Sequence, residues 1–300
     1  MLKLLEFILG RLRGKAARYE LIQEIGEGGM SKVWKAKDLE TGSIVALKIL
    51  HPKSVALMRT YRKLFHAHEG QIALGLDHPN VIRTFDFGTW ERKTYFIAME
   101  YVDGPALDKL IRVHDERVRQ ARYRIIMQTA EGLRYLHQKG LIHRDFCPKN
   151  VLYGSDGLAK IIDFGLTIPA WAEQRVGLER AGTASYMAPE QIRRLKLDER
   201  TDIYAFGLTA FELLTFARPF REVQSKRSRI ELHLNIEPVS PLEIDPTVPP
   251  QIAKIVVKCI EKEARLRYKN MGEVIDALTN ALEKLEGQSK PQGSSQGTCP

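Results

Sequence analysis

His143, Arg144 and Asp145 are followed by Asn150 and then by Asp163, Phe164 and Gly165. An acid, an amide five residues later and a second acid leading into Phe-Gly gather one base and two oxygen ligands for a hard divalent cation into a short stretch. Any fold that uses them must hold this stretch still against the reactants. That requirement makes the pattern on either side of it the next thing to read.

Before the stretch the pattern is strand-like. Tyr19 to Ile25, Lys32 to Ala36 and Ile44 to Leu50 read as three short antiparallel strands, separated by a Gly-rich turn and by Glu40-Thr41-Gly42. Residues 54 to 76 read as a helix ending near Gly75, and Val81 to Phe87 and Thr94 to Glu100 as two more strands. Beyond Gly104 the chain turns helical. Val118 to Lys139 carries Ile125, Ile126, Ala130, Leu133 and Leu136 on one face and stops at Gly140, a natural C-terminal cap. Helical patterns recur over 201 to 216, 250 to 261 and 271 to 286. The expected fold class is α+β, with a small antiparallel-sheet lobe over 19–102 bearing one main helix and a mainly helical lobe over 103–286. Residues 287–300 are polar and apolar-poor, and read as a disordered tail or linker.

With 300 residues, 44% hydrophobic and 28% charged, the chain has enough length and apolar content for two lobes with a sizeable core. A net charge of +9 permits attraction to anionic surfaces but shows no patch, so no specific nucleic-acid binding is expected. Cys147, Cys259 and Cys299 form no C-x-x-C pair, which suggests neither zinc nor a disulfide framework and fits a reducing cytoplasm. The opening residues 1–18 form a separate segment. Met1 to Arg13 is apolar at Leu2, Leu4, Leu5, Phe7, Ile8, Leu9 and Leu12 but is interrupted by Lys3 and Glu6, too short to span a bilayer and without a secretory cleavage site. It reads either as an amphipathic helix packed on its own domain or as a peripheral contact with a membrane or partner.

Gly26, Gly28 and Gly29 lie between two predicted strands, in Ile25-Gly26-Glu27-Gly28-Gly29-Met30-Ser31-Lys32-Val33. Glycines let a hairpin backbone approach phosphates closely with its N–H groups turned toward them, although most such hairpins are simply turns. Val45-Ala46-Leu47-Lys48 then ends a strand on a lysine that can hold phosphates as a point charge. Glu69, on the predicted helix, is either a surface carboxylate or the ion-pair partner that orients Lys48.

Taken in order, the Gly loop, Val-Ala-Leu-Lys48, the helix Glu69, His-Arg-Asp145 with Asn150, Asp163-Phe-Gly and Met187-Ala-Pro-Glu190 resemble the motif set of eukaryotic-type protein kinases, most similar to the bacterial serine/threonine branch. The resemblance covers about residues 19 to 285, and extends to Asp202 before Gly207 and to Arg267. It implies a two-lobed catalytic domain that binds ATP with Mg²⁺ or Mn²⁺ and phosphorylates protein serine or threonine hydroxyls, itself included. By the same resemblance Met99 would be the gatekeeper and Glu100 to Val102 the hinge that meets adenine, with Val33, Ala46 and Leu152 sandwiching the ring. Asp145 would accept the hydroxyl proton, Asn150 and Asp163 would hold the metal, His143 and Phe164 would pack as struts, and Asp202 would brace the catalytic loop. The alternatives are a pseudokinase acting as a nucleotide-binding signalling module and a small-molecule kinase of related fold.

The sequence departs from the family pattern in two places. Serine/threonine kinases usually carry a lysine two residues after the catalytic Asp, where this chain has Cys147; Lys149, four residues after it, is expected to supply that cation instead. Gly182-Thr183 matches the serine/threonine form of the substrate loop, so Thr183 is expected to bond near Asp145. Between Ile168 and Gly182 there is no Ser, Thr or Tyr, and Glu179 either substitutes for an activating phosphate or is a solvated acid beside Arg180. Cys147 also invites a redox reading, which the sequence leaves open.

Overall fold

The computed structural model describes residues 18–27, 31–50, 66–90, 94–170, 182–220 and 229–289. Gly28, Gly29, Met30, Glu179, the segment 1–17, residues 54–65 of the expected first helix and residues 290–300 of the expected tail lie outside the described residues. The chain divides into two compact units, Met1–Leu110 with His143–Ile168, and Ile111–Ile142 with Pro169–Pro300. This cut differs from the sequence division at 102/103, because the segment carrying Asp145 and Asp163 packs with the sheet.

The first unit is built on five antiparallel strands, β1 (Tyr19–Glu27), β2 (Ser31–Asp38), β3 (Ile44–Leu50), β4 (Thr84–Trp90) and β5 (Thr94–Glu100), in the order β1-β2-β3-β5-β4. Alternation along β3 gives the sheet two faces. Val45 and Leu47 join Tyr19, Ala36, Phe96 and Ala98 in a buried cluster, where each large side chain contributes about 1.5–3 kcal/mol of hydrophobic stabilisation. Ala46 and Lys48 point the other way. On that second face Val33 and Ile97 stand opposite Lys48, and Met99 stands opposite Ala46.

Helix α1 (His66–Leu74) packs on β4, where Gly70 makes the approach possible: a Cβ there would come within 2.6 Å of Phe87 Cδ2. Glu69 is the neighbouring residue. Strand β4 starts three residues later than the sequence pattern suggests, since Val81 and Ile82 instead bond the segment ahead of Asp163, with Ile82 N–H donating to Ile161 O at 2.9 Å. A short ribbon, β6 (Val151–Tyr153) with β7 (Ala159–Ile161), completes the unit. Backbone bonds from Tyr153 to Pro105 and from Ser155 to Asp103 fasten this ribbon to the chain leaving β5.

The second unit is helical. Helix α2 (Leu107–Arg112) ends in it, and α3 (Glu116–Gln138), α5 (Arg200–Thr215), α8 (Pro250–Cys259) and α9 (Met271–Ser289) form its core, with the short α4 (Pro189–Ile192), α6 (Arg229–Asn235) and α7 (Pro241–Ile244) around them. Asp115 caps α3 by accepting the Arg117 N–H at 2.9 Å, and the apolar face seen in the sequence is the one buried. Helix α5 is buried from Thr201 to Leu214, and Gly207 lets α8 lie directly against it. Helix α9 runs to Ser289, three residues past the expected end of the helical lobe at 286. Among the described residues no helix is long and apolar enough to cross a membrane.

Candidate active site

Lys48, Glu69 and Asp163 meet in the first unit. The Lys48 ammonium lies 2.8 Å from Glu69 Oε1 and 3.0 Å from Asp163 Oδ1, although 21 and 115 residues separate them in sequence. Of the two readings of Glu69, the buried ion-pair partner is the one observed, with its side chain 5% exposed. Burial would push the Lys48 ammonium down, but the charges of Asp163 and Glu69 outweigh it and hold the lysine above its usual value. Lys48 in turn is the main cause that draws the Asp163 carboxyl down to about 2, while burial pushes Glu69 up. The result is a fixed cation beside an acid that stays ionised.

Asp163 sits in the left-handed region with φ 68°, as does Arg144 with φ 69°, a conformation that costs a non-glycine residue of order 1 kcal/mol and persists where the surroundings enforce it. Gly165 allows the tight return: its N–H donates to Asp163 Oδ1 at 3.2 Å, and a Cβ on it would lie 3.4 Å from Glu69 Oε2. Phe164 is buried, its ring edge-on to His143 at 5.8 Å, and His143 stands edge-on to Phe146. The His143 ring accepts the Asp145 N–H at 3.3 Å, so its role is to pin the loop.

Asp145, Lys149 and Asn150 form a second cluster. Asn150 Nδ2 donates to the Asp145 carbonyl at 2.8 Å and to its Oδ2 at 3.1 Å, and Lys149 Nζ approaches the same Oδ2 at 3.5 Å. Pro148 opens the single 3-10 turn Pro148–Asn150 that brings the amide back over the acid. Cys147 is fully buried, with Sγ 3.5 Å from Asp145 O, so this position presents no group to solvent while Lys149 is half exposed.

The residues expected around a purine share the second sheet face or the ribbon. Val33, Ala46 and Met99 lie on the same face of β2, β3 and β5, with Met99 opposite Ala46 and Val33 one row along, opposite Lys48; Gly26 on β1 pairs with Val33, and Leu152 bridges Ala106 just past the Glu100–Val102 segment. Ile25 and Glu27 are exposed at the end of β1, and Ser31 opens β2. Thr183 belongs to the second unit, where its carbonyl accepts the Tyr186 N–H at 2.8 Å and Gly182 ahead of it takes φ 126°.

The donor set suits Mg²⁺ carried by a polyphosphate. Among the described residues no three His, Cys, Asp or Glu side chains gather as a metal site, so Asn150 and Asp163 would leave most positions to water and phosphate oxygens, as this ion prefers. Asp163 keeps 42% of its side chain exposed while Lys48 neutralises part of its charge.

Sequence reading passed over two groups. Asn80, a polar residue heading the apolar pair Val81-Ile82, donates to Ala159 O at 3.0 Å and steadies the strand that leads to Asp163. Glu212, a lone acid in an apolar helix, accepts the Tyr186 hydroxyl proton, with each of its two oxygens 2.9 Å from that hydroxyl, and lies 3.5 Å from Arg218. Also in the second unit, Arg267 forms a paired bond to Glu190 at 2.7 and 2.9 Å, and Asp202 lies 2.9 Å from His137.

The chain is 32% identical over 285 residues to the probable serine/threonine-protein kinase PknB of Lactococcus lactis subsp. lactis, covering 92% of this chain and 44% of that protein. It is 33% identical over 272 residues to the serine/threonine-protein kinase PrkC of Bacillus subtilis, covering 89% and 41% respectively. It is 31% identical over 283 residues to a probable serine/threonine-protein kinase of Clostridium perfringens, covering 93% and 39%. The chain thus spans about two-fifths of the length of these curated relatives. Residues 19–278, which contain both charged clusters and the sheet and helices that hold them, match the protein kinase domain, and the chain belongs to that family.

Proposed function

We propose that the chain is an ATP- and Mg²⁺-dependent serine/threonine protein kinase. The observation that carries this reading is the bonded set Lys48–Glu69–Asp163 in the same unit as the Asp145–Asn150–Lys149 cluster. Lys48, fixed in place by Glu69, would hold the α- and β-phosphates, and Met99, the Glu100–Val102 backbone, Val33, Ala46 and Leu152 would hold the purine. Asn150 and Asp163 would hold Mg²⁺, which neutralises charge on the phosphates when bound. As a serine or threonine oxygen bonds the γ-phosphorus and the bond to ADP breaks, Asp145 would take the hydroxyl proton at its carboxylate. Lys149, beside that carboxylate, would stand in for the cation that Cys147 does not supply. Positioning and fixed charge carry such a reaction, and the charged residues named here lie in the first unit.

Transfer of the terminal phosphate of radiolabelled ATP to the chain itself and to a basic acceptor protein, with phosphoamino-acid analysis, tests the reading. Phosphoserine or phosphothreonine that disappears in Asp145→Asn is the expected result. Nucleotide binding without transfer to any acceptor would replace it with a non-catalytic signalling role, and phosphotyrosine alone would sink the assignment of Thr183.

A further inference from the structure

Lys160 is a single cation in an apolar strand, between Ala159 and Ile161 and three residues ahead of Asp163. A lysine there would ordinarily run out to water. Its register partner across the ribbon is Leu152, so both side chains leave the ribbon on one side, and the ammonium ends 2.9 Å from Glu100 Oε1 with the lysine side chain only 12% exposed. The same oxygen accepts the Arg83 N–H at 2.8 Å, while the Glu100 N–H donates to Arg83 O at 2.9 Å. Beside this, Asn80 Nδ2 bonds Ala159 O at 3.0 Å, and Ile161 N–H bonds Asn80 O at 2.9 Å. One carboxylate oxygen therefore joins the end of β5, the chain entering β4 and the strand that delivers Asp163. With the Glu100 side chain 24% exposed the pair is part-buried, sheltered more than a surface ion pair and less than a core one, so removing one partner leaves the other charge incompletely solvated.

We propose that Lys160 is a positioning residue that sets the span between the Glu100–Val102 segment and Asp163, so that a nucleotide held at the first presents its phosphates and metal in register with the second. The inference rests on the proposed function. The tie is closed while Lys48 bonds both Glu69 and Asp163, so it holds the assembled ion set rather than opposing it. A strut that served folding alone would lower stability and leave nucleotide affinity untouched.

The test uses the full chain as Lys160→Met, Lys160→Gln and Lys160→Arg, each checked for folding by thermal melting. Equilibrium titration with a fluorescent ATP analogue plus Mg²⁺ is run beside titration with adenosine, and KM and kcat are measured separately. Lys160→Met or Lys160→Gln should weaken Mg-nucleotide binding and raise KM for ATP by about tenfold, the worth of one charge-assisted hydrogen bond, with adenosine affinity changed less than about twofold. Lys160→Arg should restore the affinity. Unchanged Mg-nucleotide affinity in a folded variant would overturn the proposal, and so would a rise in kcat, which would mean that the tie restrains the site. A wild type that binds Mg-nucleotide without transferring phosphate refutes the proposed function yet still reads out the tie, whereas one that binds no nucleotide refutes both.

Discussion

Lys149 holds its ammonium 3.5 Å from Asp145 Oδ2, while Cys147, between them in sequence, is sealed from solvent. The cation beside the acid therefore comes from a position four residues on. Lys149→Ala should lower kcat by about 10²-fold, the usual cost of removing one preorganised charge partner, with KM for ATP changed far less. Lys149→Arg should keep most of the rate, and Cys147→Ala should stay within about threefold of wild type, since a buried thiol donating to one carbonyl carries little of the chemistry. Steady-state kinetics on a protein acceptor decide it: full activity in Lys149→Ala would remove the lysine from the mechanism.

Asp163 owes its lowered carboxyl pKa first to Lys48. A carboxyl drawn from its ordinary 3.8 to about 2 contributes stability that is complete above the ordinary value and is lost only as pH falls toward 2. The acid limb of a kcat/KM profile between pH 5 and 7 should therefore not belong to Asp163 in the wild type. In Lys48→Met the largest cause of the shift is gone and the Gly165 N–H bond remains, so the Asp163 carboxyl should titrate at higher pH and Mg²⁺-dependent nucleotide binding should weaken as pH falls. Identical pH dependence of that binding in both proteins would refute the account.

Much of this was legible in the sequence, and the reason is physical. The strands show as short apolar runs bounded by turn residues, β3 being Ile44–Leu50 with Lys48 its one polar member, and Asp145, Asn150 and Asp163 show because the base and metal chemistry proposed for them restricts residue type as well as spacing. Glu69 as partner of Lys48 was one of the two readings open in the sequence, and the fold decides between them, with Gly70 against Phe87 letting α1 come close to the sheet. The start of β4 was misread for a related reason: Val81 and Ile82 are as apolar as strand residues but spend their backbone bonds on Asn80–Ile161 pairing. Glu212 and Asn80 were invisible because a lone polar residue in an apolar run carries no sign of which distant group it bonds.

His233 is buried in the second unit between the Tyr204 hydroxyl, 2.9 Å from Nδ1, and the Phe220 ring. Burial, with Lys262 and Arg218 adding repulsion, draws its pKa down to about 4. In the unfolded chain the ring takes its proton near the ordinary 6.5, so between those values the unfolded state binds a proton that the folded state refuses. Stability should fall as pH drops through this window, by up to about 3 kcal/mol at its lower end. Denaturant midpoints followed from pH 7 to pH 4 should show that slope, and His233→Gln should flatten it whatever its effect at neutral pH.

Arg267 is fully buried and bonds Glu190 through both guanidinium nitrogens, with further bonds to the carbonyls of Arg200, Glu261 and Lys262. Replacing one member leaves the other charge buried without its counter-ion. Arg267→Met should cost about 3–5 kcal/mol in chemical denaturation, whereas the pair Arg267→Met with Glu190→Met should recover part of that loss. A double variant no more stable than Arg267→Met alone would show that the carbonyl bonds, and not the ion pair, dominate this joint.

Gly70 separates two effects that usually act together. In a helix interior alanine is favoured over glycine by about 1 kcal/mol, yet a Cβ at this position would run into the Phe87 ring on β4. Phe87 is an aromatic ring on a paired strand and cannot swing away cheaply, so α1 itself must shift, and Glu69 shifts with it. Gly70→Ala should therefore lower stability by about 1–3 kcal/mol in spite of the better helix former, and should raise KM for ATP through a longer Lys48–Glu69 contact. Phe87→Leu in the Gly70→Ala background should restore part of both quantities, with a coupling between the two sites above about 1 kcal/mol. Additive effects would mean that the helix tolerates the methyl group without moving, and that the glycine is there for some reason other than the closeness of α1 to the sheet.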